Sequence, residues 1–213
     1  MERISYEMAT PAHTNELLTF MLDHFLFCEP TNRAVGLTRD EAQSIFSEIL
    51  SVSMENPTFN FIALNENNEI VGCCLNSVYH HDIKVREESQ MPPSASATQK
   101  LTSYLKALDS LQSQLIPSNE KTIKCEIVSV HRAYFRRGIA KKLLDISVEK
   151  AKSLEFQLFA TYCTALASQN LFEKAEFVEL MTLKHSEYLD EDGNPVLQCD
   201  DGTDCAKIVC KKL

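Results

Sequence analysis

Val128-Ser129-Val130-His131-Arg132-Ala133-Tyr134-Phe135-Arg136-Arg137-Gly138-Ile139-Ala140-Lys141-Lys142-Leu143-Leu144 reads as the end of an apolar strand, a basic turn, and a helix that opens on a small-residue pair. Gly138 and Ala140 let a ligand approach the main chain closely, since neither carries a bulky side chain. The N–H groups of a first helical turn have no intrahelical partners and point outward with the positive end of the helix dipole. Such a terminus binds phosphate, and Arg136, Arg137 and Lys141 add positive charge around it. The alternative is an ordinary strand-to-helix connection with a solvated basic loop. Neither common nucleotide fingerprint is present: the chain has no Gly-x-Gly-x-x-Gly and no Gly-Lys-Ser/Thr.

Outward from this turn the periodicity builds a domain. Residues 122–130 predict a strand, 139–154 a helix with Leu143, Leu144, Ser147, Val148, Ala151 and Leu154 inward, and 156–162 a second strand. Strand, helix and strand make a right-handed βαβ unit with parallel pairing. A short helix over 166–174, a strand over 177–183, a polar turn at 190–194 and a strand over 207–213 follow. The last is read as a covered edge strand or a pairing surface. Upstream, 4–8 alternates as a strand, and Thr10 with Pro11 opens a helix whose stripe is Leu17, Leu18, Met21, Leu22 and Phe25. Pro30 pushes Glu29 out of the helical region. Thr38 and Glu41 form a capping box for a second helix. Strands over 59–64 and 69–78 turn around Asn67-Asn68. A polar stretch with Pro92-Pro93 predicts a flexible loop over about 81–99, before an inserted amphipathic helix over about 100–115. The whole, 1–213, reads as one three-layer α/β domain on a mixed sheet.

The 213 residues suffice for a sizeable core. No apolar run is long enough to span a membrane, and the opening residues lack the pattern of a secretory signal. The eight cysteines are scattered, several in apolar strand patterns where a reduced thiol acts as a small hydrophobe; no zinc spacing appears, and the expected compartment is the cytoplasm. Thirty acidic and 21 basic residues give a net charge of −9, which disfavours nucleic acid and suits a cationic small molecule.

This element order, with a basic turn before the longest helix of the second half, resembles the GCN5-related N-acetyltransferase (GNAT) superfamily, and within it the invertebrate arylalkylamine and dopamine N-acetyltransferases. Arg136-Arg137-Gly138-Ile139-Ala140 is similar to the superfamily's acyl-CoA pyrophosphate loop, although Phe135 stands where Gln or Arg is usual. Phe25-Leu26-Phe27-Cys28-Glu29-Pro30-Thr31-Asn32, with Gly36-Leu37, looks like the Glu-Pro-Leu-Asn segment of the invertebrate group. Residues 160–177 look like its Ser/Thr-containing helix and Leu-x-Glu-Lys-x-Gly-Phe ending, with Glu176 in place of the glycine. Residues 188–196 are similar to its acidic turn. The resemblance implies a GNAT-like acyl-CoA N-acyltransferase fold with a mixed, mostly antiparallel central sheet around the βαβ unit. It also implies acetyl-CoA as cofactor, a small arylalkylamine as acceptor, and a monomer.

Acetyl transfer to an amine needs a held thioester, a polarised carbonyl and removal of a proton from the arriving ammonium. The resemblance places the catalytic glutamate at Glu29; burial after an apolar run would raise its pKa usefully. It places two hydroxyls at Thr164 and Ser168, four apart on the short helix, with Ser168 near the departing thiolate. Phe172 stands where many members carry an acidic tyrosine, and it cannot donate a proton. The strand edge Val128, Ser129, Val130 would hold the pantetheine arm. Arg136, Arg137, Gly138, Ile139, Ala140 and Lys141 would hold the pyrophosphate. His80, His81 and His131 are weaker candidates for the site; Tyr6, Tyr79, Tyr134, Tyr162, Phe25 and Phe27 are candidate aromatic walls. The competing readings are a polyamine, other small-amine or protein-lysine acetyltransferase, with Glu87-Glu88 or the 190–192 acids in a polyamine groove, and a non-catalytic acyl-CoA-binding protein.

Overall fold

A computed structural model of the chain describes residues 2–80 and 94–213. One sheet holds β1 (Ser5–Met8), β2 (Phe61–Leu64), β3 (Ile70–Val78), β4 (Thr122–Val130), β5 (Leu158–Cys163), β6 (Val178–Lys184) and β7 (Cys205–Lys212), in the order β1-β2-β3-β4-β5-β7-β6. Only β4 and β5 pair in parallel; every other neighbouring pair is antiparallel. The expected three-layer fold, with a mostly antiparallel mixed sheet and a central βαβ unit, is therefore present.

Helices cover both faces. α1 (Thr14–Phe20), α2 (Leu26–Cys28), α3 (Pro30–Val35), α4 (Arg39–Glu55) and α5 (Ala97–Leu115) come from the first half of the chain; α6 (Ile139–Ser153) and α7 (Leu166–Lys174) come from the second. The period-two alternation of the strands sorts the core. Ile62, Cys73 and Leu75 pack with Leu17, Met21, Phe46 and Leu50, while Ala63 and Cys74 pack with Ile139, Leu143 and Leu144 of α6, joined by Val71 from the point where the β2–β3 register shifts. α6 can approach the sheet because Gly72 of β3 has no Cβ: one placed there would meet Ile139, Leu143 and the Ser129 carbonyl at 3.2–3.3 Å. This close approach seats the first turn of α6 over the end of β4.

Several local expectations are corrected. β7 is not an edge strand; it lies between β5 and β6, and β6 is the edge, with its outward residues Val178, Glu179 and Lys184 exposed. α5 starts at Ala97, because Ser96 and Gln99 form a capping box one turn before the apolar stripe. The expected loop over 81–99 lies mostly outside the described residues, as do His81 and Glu87-Glu88. The first helix does not run straight into Glu29: Met21–Phe25 forms a π-helical turn, and a separate helix, α3, begins at Pro30. All eight cysteines are free, and Cys73, Cys74, Cys125, Cys163 and Cys205 are buried. Among the described residues no helix is long and apolar enough to cross a membrane.

Candidate active site

The parallel pair β4–β5 is joined only at Thr122–Leu158, Ile123–Phe159 and Lys124–Ala160. Beyond Lys124 the strands part, with Thr161 donating its hydroxyl hydrogen to the Cys125 carbonyl at 2.9 Å at the fork. The carboxyl end of a parallel strand beside a helix N-terminus is where open α/β sheets take ligands. Two cavities meet at this opening, and Phe25, Glu29, Val128 and Ser168 border both.

The larger cavity, about 560 Å³, runs along Val128, Ser129 and Val130 to the first turn of α6, where Arg136, Gly138, Ile139, Ala140 and Lys141 line it. Arg136 and Gly138 both take left-handed backbone conformations, with φ of +61° and +77°. Gly138 is the N-cap of α6 and offers no side chain to its amides, and the first intrahelical bond is donated by Lys142 to the Gly138 carbonyl. The amides of Ile139, Ala140 and Lys141 thus precede the helical ladder, uncapped, beside two cationic residues. A Cβ at Gly138 would meet nothing within 4 Å. The residues present fit a pyrophosphate, which needs a concentration of donors and positive charge next to open main chain.

Arg137 is placed differently. Its guanidinium pairs with Glu2 at 3.3 Å and stacks 4.6 Å from the centre of the Tyr134 ring, and it is not among the cavity-lining residues. His131 accepts from the Ala133 amide at 3.0 Å and packs against His24, so it acts as a turn cap. The exposed Phe135 does line the cavity. So do Ala165, Ala167, Asn170, Leu171 and Lys174 of the α7 region, a wall that the strand and turn patterns gave no sign of.

The second cavity, about 350 Å³, lies between β4, β5, α4 and α5. Glu29 sits where α2 stops and α3 begins; its extended backbone (φ −79°, ψ 118°) is the break that Pro30 enforces. Its Oε1 accepts from the Thr31 hydroxyl at 3.0 Å and the Thr31 amide at 3.4 Å. Burial pushes its carboxyl above the usual range; hydrogen bonds from Thr164 and Thr31 pull it back, and the charge of Asp201 adds to the upward push. Thr164 and Ser168 do not share a helix face, since α7 starts only at Leu166 and Thr164 belongs to the turn after β5. Both nevertheless line this cavity. Ser168 donates to the Ala165 carbonyl at 2.8 Å. Phe172 borders the cavity from the core, packed edge-on against Phe177.

The same cavity has a charged wall. Lys124, 8% exposed in the middle of the sheet, lies 2.8 Å from Asp109 and 3.1 Å from Glu126, and its Nζ stands 4.7 Å from the Tyr162 ring centre. Burial opposes the Lys124 charge, but the Glu126 and Asp109 carboxylates beside it favour the ammonium, and its pKa is raised well above normal. Burial also pushes the Tyr162 hydroxyl up, so it stays neutral and the two carboxylates hold the ammonium. A signal for this wall was available: Lys124 and Glu126 are opposite charges two apart in an otherwise apolar strand, hence on one face. Of the candidate aromatic walls, Phe25 and Tyr162 line the cavity; Tyr6, Tyr79 and Phe27 do not, and exposed His80 lines neither cavity.

Among solved structures, arylalkylamine N-acetyltransferase 2 from Aedes aegypti is 23% identical and superposes with a TM-score of 0.79, covering 99% of both chains. The Drosophila melanogaster polyamine N-acetyltransferase that forms N-acetylagmatine is 18% identical with a TM-score of 0.80, over 99% of this chain and 100% of that one. A variant of agmatine N-acetyltransferase is 18% identical with a TM-score of 0.82, over 99% of both. At these identities the likeness speaks for the fold. The acetyltransferase (GNAT) family profile matches residues 18–177, from within α1 to the residue before β6, and so the chain belongs to the GNAT acetyltransferase family.

Proposed function

We propose that this chain transfers the acetyl group of acetyl-CoA to the primary amine of a small acceptor by direct attack of nitrogen, with Glu29 as general base. The observation that carries this reading is the shared border of Glu29, Val128 and Ser168 between a cavity suited to CoA and a cavity suited to an amine. When bound, acetyl-CoA supplies an activated thioester. The α6 amides with Arg136 and Lys141 would hold its pyrophosphate, and the strand edge at Val128, Ser129 and Val130 would hold the pantetheine arm. Glu29 takes a proton from the arriving ammonium, directly or through a water, and its raised pKa matches that task. With acetyl-CoA bound, the neutral nitrogen would attack the thioester carbonyl carbon, the carbon–sulfur bond would break, and the second proton of the nitrogen would pass to the departing thiolate. The Thr164 hydroxyl orients the Glu29 carboxylate, and Ser168 is placed to give a proton to the departing thiolate, a role Phe172 cannot fill.

For the acceptor, a diamine of polyamine type is the reading best supported. Besides Glu29, the amine cavity is lined by Glu48, Asp109 and Glu126, against Lys106 and Lys124. At about 3.3 Å per strand residue, Glu126 lies about 7 Å along β4 from Val128. That is the span over which an extended diamine would present its second cation. The neighbours that act on agmatine and polyamines agree with this. An arylalkylamine is the second reading, favoured by the Phe25, Phe46 and Tyr162 rings in the same wall and by the Aedes aegypti neighbour.

Thiol release from acetyl-CoA with putrescine, agmatine, spermidine, tyramine, dopamine and a lysine peptide separates these readings. Glu29→Gln should lower kcat/KM by about 10²–10⁴, the usual contribution of a positioned base, with acetyl-CoA affinity unchanged by calorimetry. Near-parental turnover in Glu29→Gln at every pH would remove Glu29 from the mechanism. Acetyl-CoA binding without thiol release for any amine would instead identify an acyl-CoA-binding protein.

A further inference from the structure

Glu29 and Ser168 border the opening from two separate segments, which the hydrogen bond between Thr164 and the Glu29 carboxylate links directly. Both are held by one dipeptide just ahead of β7. Asp200 takes Arg33 of α3 in a forked pair, with Nε at 2.9 and 3.1 Å from its two oxygens and Nη2 also engaged. The same guanidinium donates from Nη1 to the Phe27 carbonyl at 2.8 Å, so it braces the chain on both sides of Glu29. Asp201 turns the other way. Its Oδ2 accepts from the amide of Leu166 at 2.9 Å, and its Oδ1 accepts from the Thr203 amide at 2.9 Å. Leu166 opens α7 behind Ala165, which has no side-chain acceptor, so a residue 35 positions away supplies the cap that the helix lacks locally.

We propose that Asp200 and Asp201 are positioning residues of the acetyl-transfer cleft: with Arg33 they set the gap between Glu29 and Ser168 and the charge that the Glu29 carboxylate feels. The proposal rests on Glu29 as the base. An exposed carboxylate–guanidinium pair contributes little to stability by its charge alone, so the effect belongs on the chemistry. The groups facing Glu29 are Arg33 from α3, Asp201 from the segment before β7, Cys163 from β5, Tyr104 from α5 and Cys199. Burial pushes the Cys163 and Cys199 thiols up to about 12 and the Tyr104 hydroxyl further. At neutral pH these three are uncharged, leaving Asp201, which favours a proton on Glu29, and Arg33, which opposes one.

The test is the pH profile of kcat/KM with acetyl-CoA and the best acceptor from the panel above, in variants first shown to bind acetyl-CoA like the parent. The break that belongs to Glu29 is the one lost in Glu29→Gln. Asp201→Asn should move it to lower pH, and Arg33→Gln should move it to higher pH, each by about 0.5–1 unit, the scale of one partly screened neighbouring charge. Arg33→Lys restores the charge and should return the break toward the parental position. Asp200→Asn should lower kcat more than it alters the KM for acetyl-CoA. A merely structural loss would not send the two breaks in opposite directions. Unmoved breaks, or breaks that move the same way, overturn the proposal while leaving Glu29 as base; a break that survives in Glu29→Gln overturns both.

Discussion

Replacing Lys124 with methionine probes the charged wall of the amine cavity. Methionine nearly fills the volume but removes the cation from between two carboxylates. In the parent, Nζ lies 2.8 Å from Asp109, 3.1 Å from Glu126 and 3.4 Å from the Tyr162 hydroxyl. The carboxylate side chains are only 24% and 15% exposed, so water restores little of the lost contact. Removing one member of a buried pair costs about 3–5 kcal/mol, because the uncompensated charge stays behind. For a chain of this size that is a fall in Tm of about 6–20 °C, at about 2–4 °C per kcal/mol. Because the folded Lys124 pKa is raised, its contribution is complete below the unfolded lysine value and is lost only as pH rises through the folded one. The deficit in thermal or denaturant unfolding should therefore be equal at pH 6 and pH 8. Lys152→Met, whose ammonium meets Glu149 at 3.1 Å on the surface, is the control and should stay within about 0.5 kcal/mol. Adding Asp109→Asn and Glu126→Gln to Lys124→Met should recover most of the loss. A Lys124→Met protein within 1 kcal/mol of the parent would refute the assignment of a buried, carboxylate-held ammonium.

Three further outcomes are expected. Arg136→Ala should weaken CoA by about 1–2 kcal/mol, the scale of a charge-assisted hydrogen bond, whereas Arg137→Ala, already engaged by Glu2 and Tyr134, should cost less than half of that in calorimetry. Equal losses would place both guanidiniums on the pyrophosphate, and Gly138→Val should exceed either, since it adds bulk at a left-handed residue. Glu176 holds φ +63°, at the place of the glycine in the Leu-x-Glu-Lys-x-Gly-Phe ending that this segment resembles, and its pair with Lys211 is long (3.5 Å) with the Glu side chain 89% exposed. Glu176→Gly should therefore raise stability by about 0.5–1 kcal/mol, the left-handed cost less the entropy of glycine, with turnover unchanged; a lower Tm would mean that the ion pair outweighs the strain.

Wherever neighbours within four residues decide the conformation, the chain could be read directly. The Thr38–Glu41 capping box, the Pro30 break at Glu29, the βαβ unit and the boundaries of α7 all appear as expected. The π-helical turn at Met21–Phe25 and the short α3 escaped that reading, because neither changes the apolar periodicity enough to be seen. The position of β7 escaped it for another reason: β5 and β6 both carry apolar residues that accept a neighbour, and the final strand inserts between them.

The turn before α6 and the setting of Glu29 were therefore legible locally, as a small residue at a helix start and a carboxylate before a proline, while the catalytic role proposed for Glu29 came from the family resemblance. What the chain order could not convey is which distant groups meet around them. Arg33 and Asp200 are 167 residues apart, Leu166 and Asp201 are 35 apart, and Lys124 reaches Asp109 across the boundary between sheet and helix layer. Such pairs carry no periodicity and no short motif. They exist because packing α3, α5, α7 and the segment before β7 around one gap in the sheet brings these groups within reach of each other, and only around Lys124 is water too scarce to leave the charges unpaired.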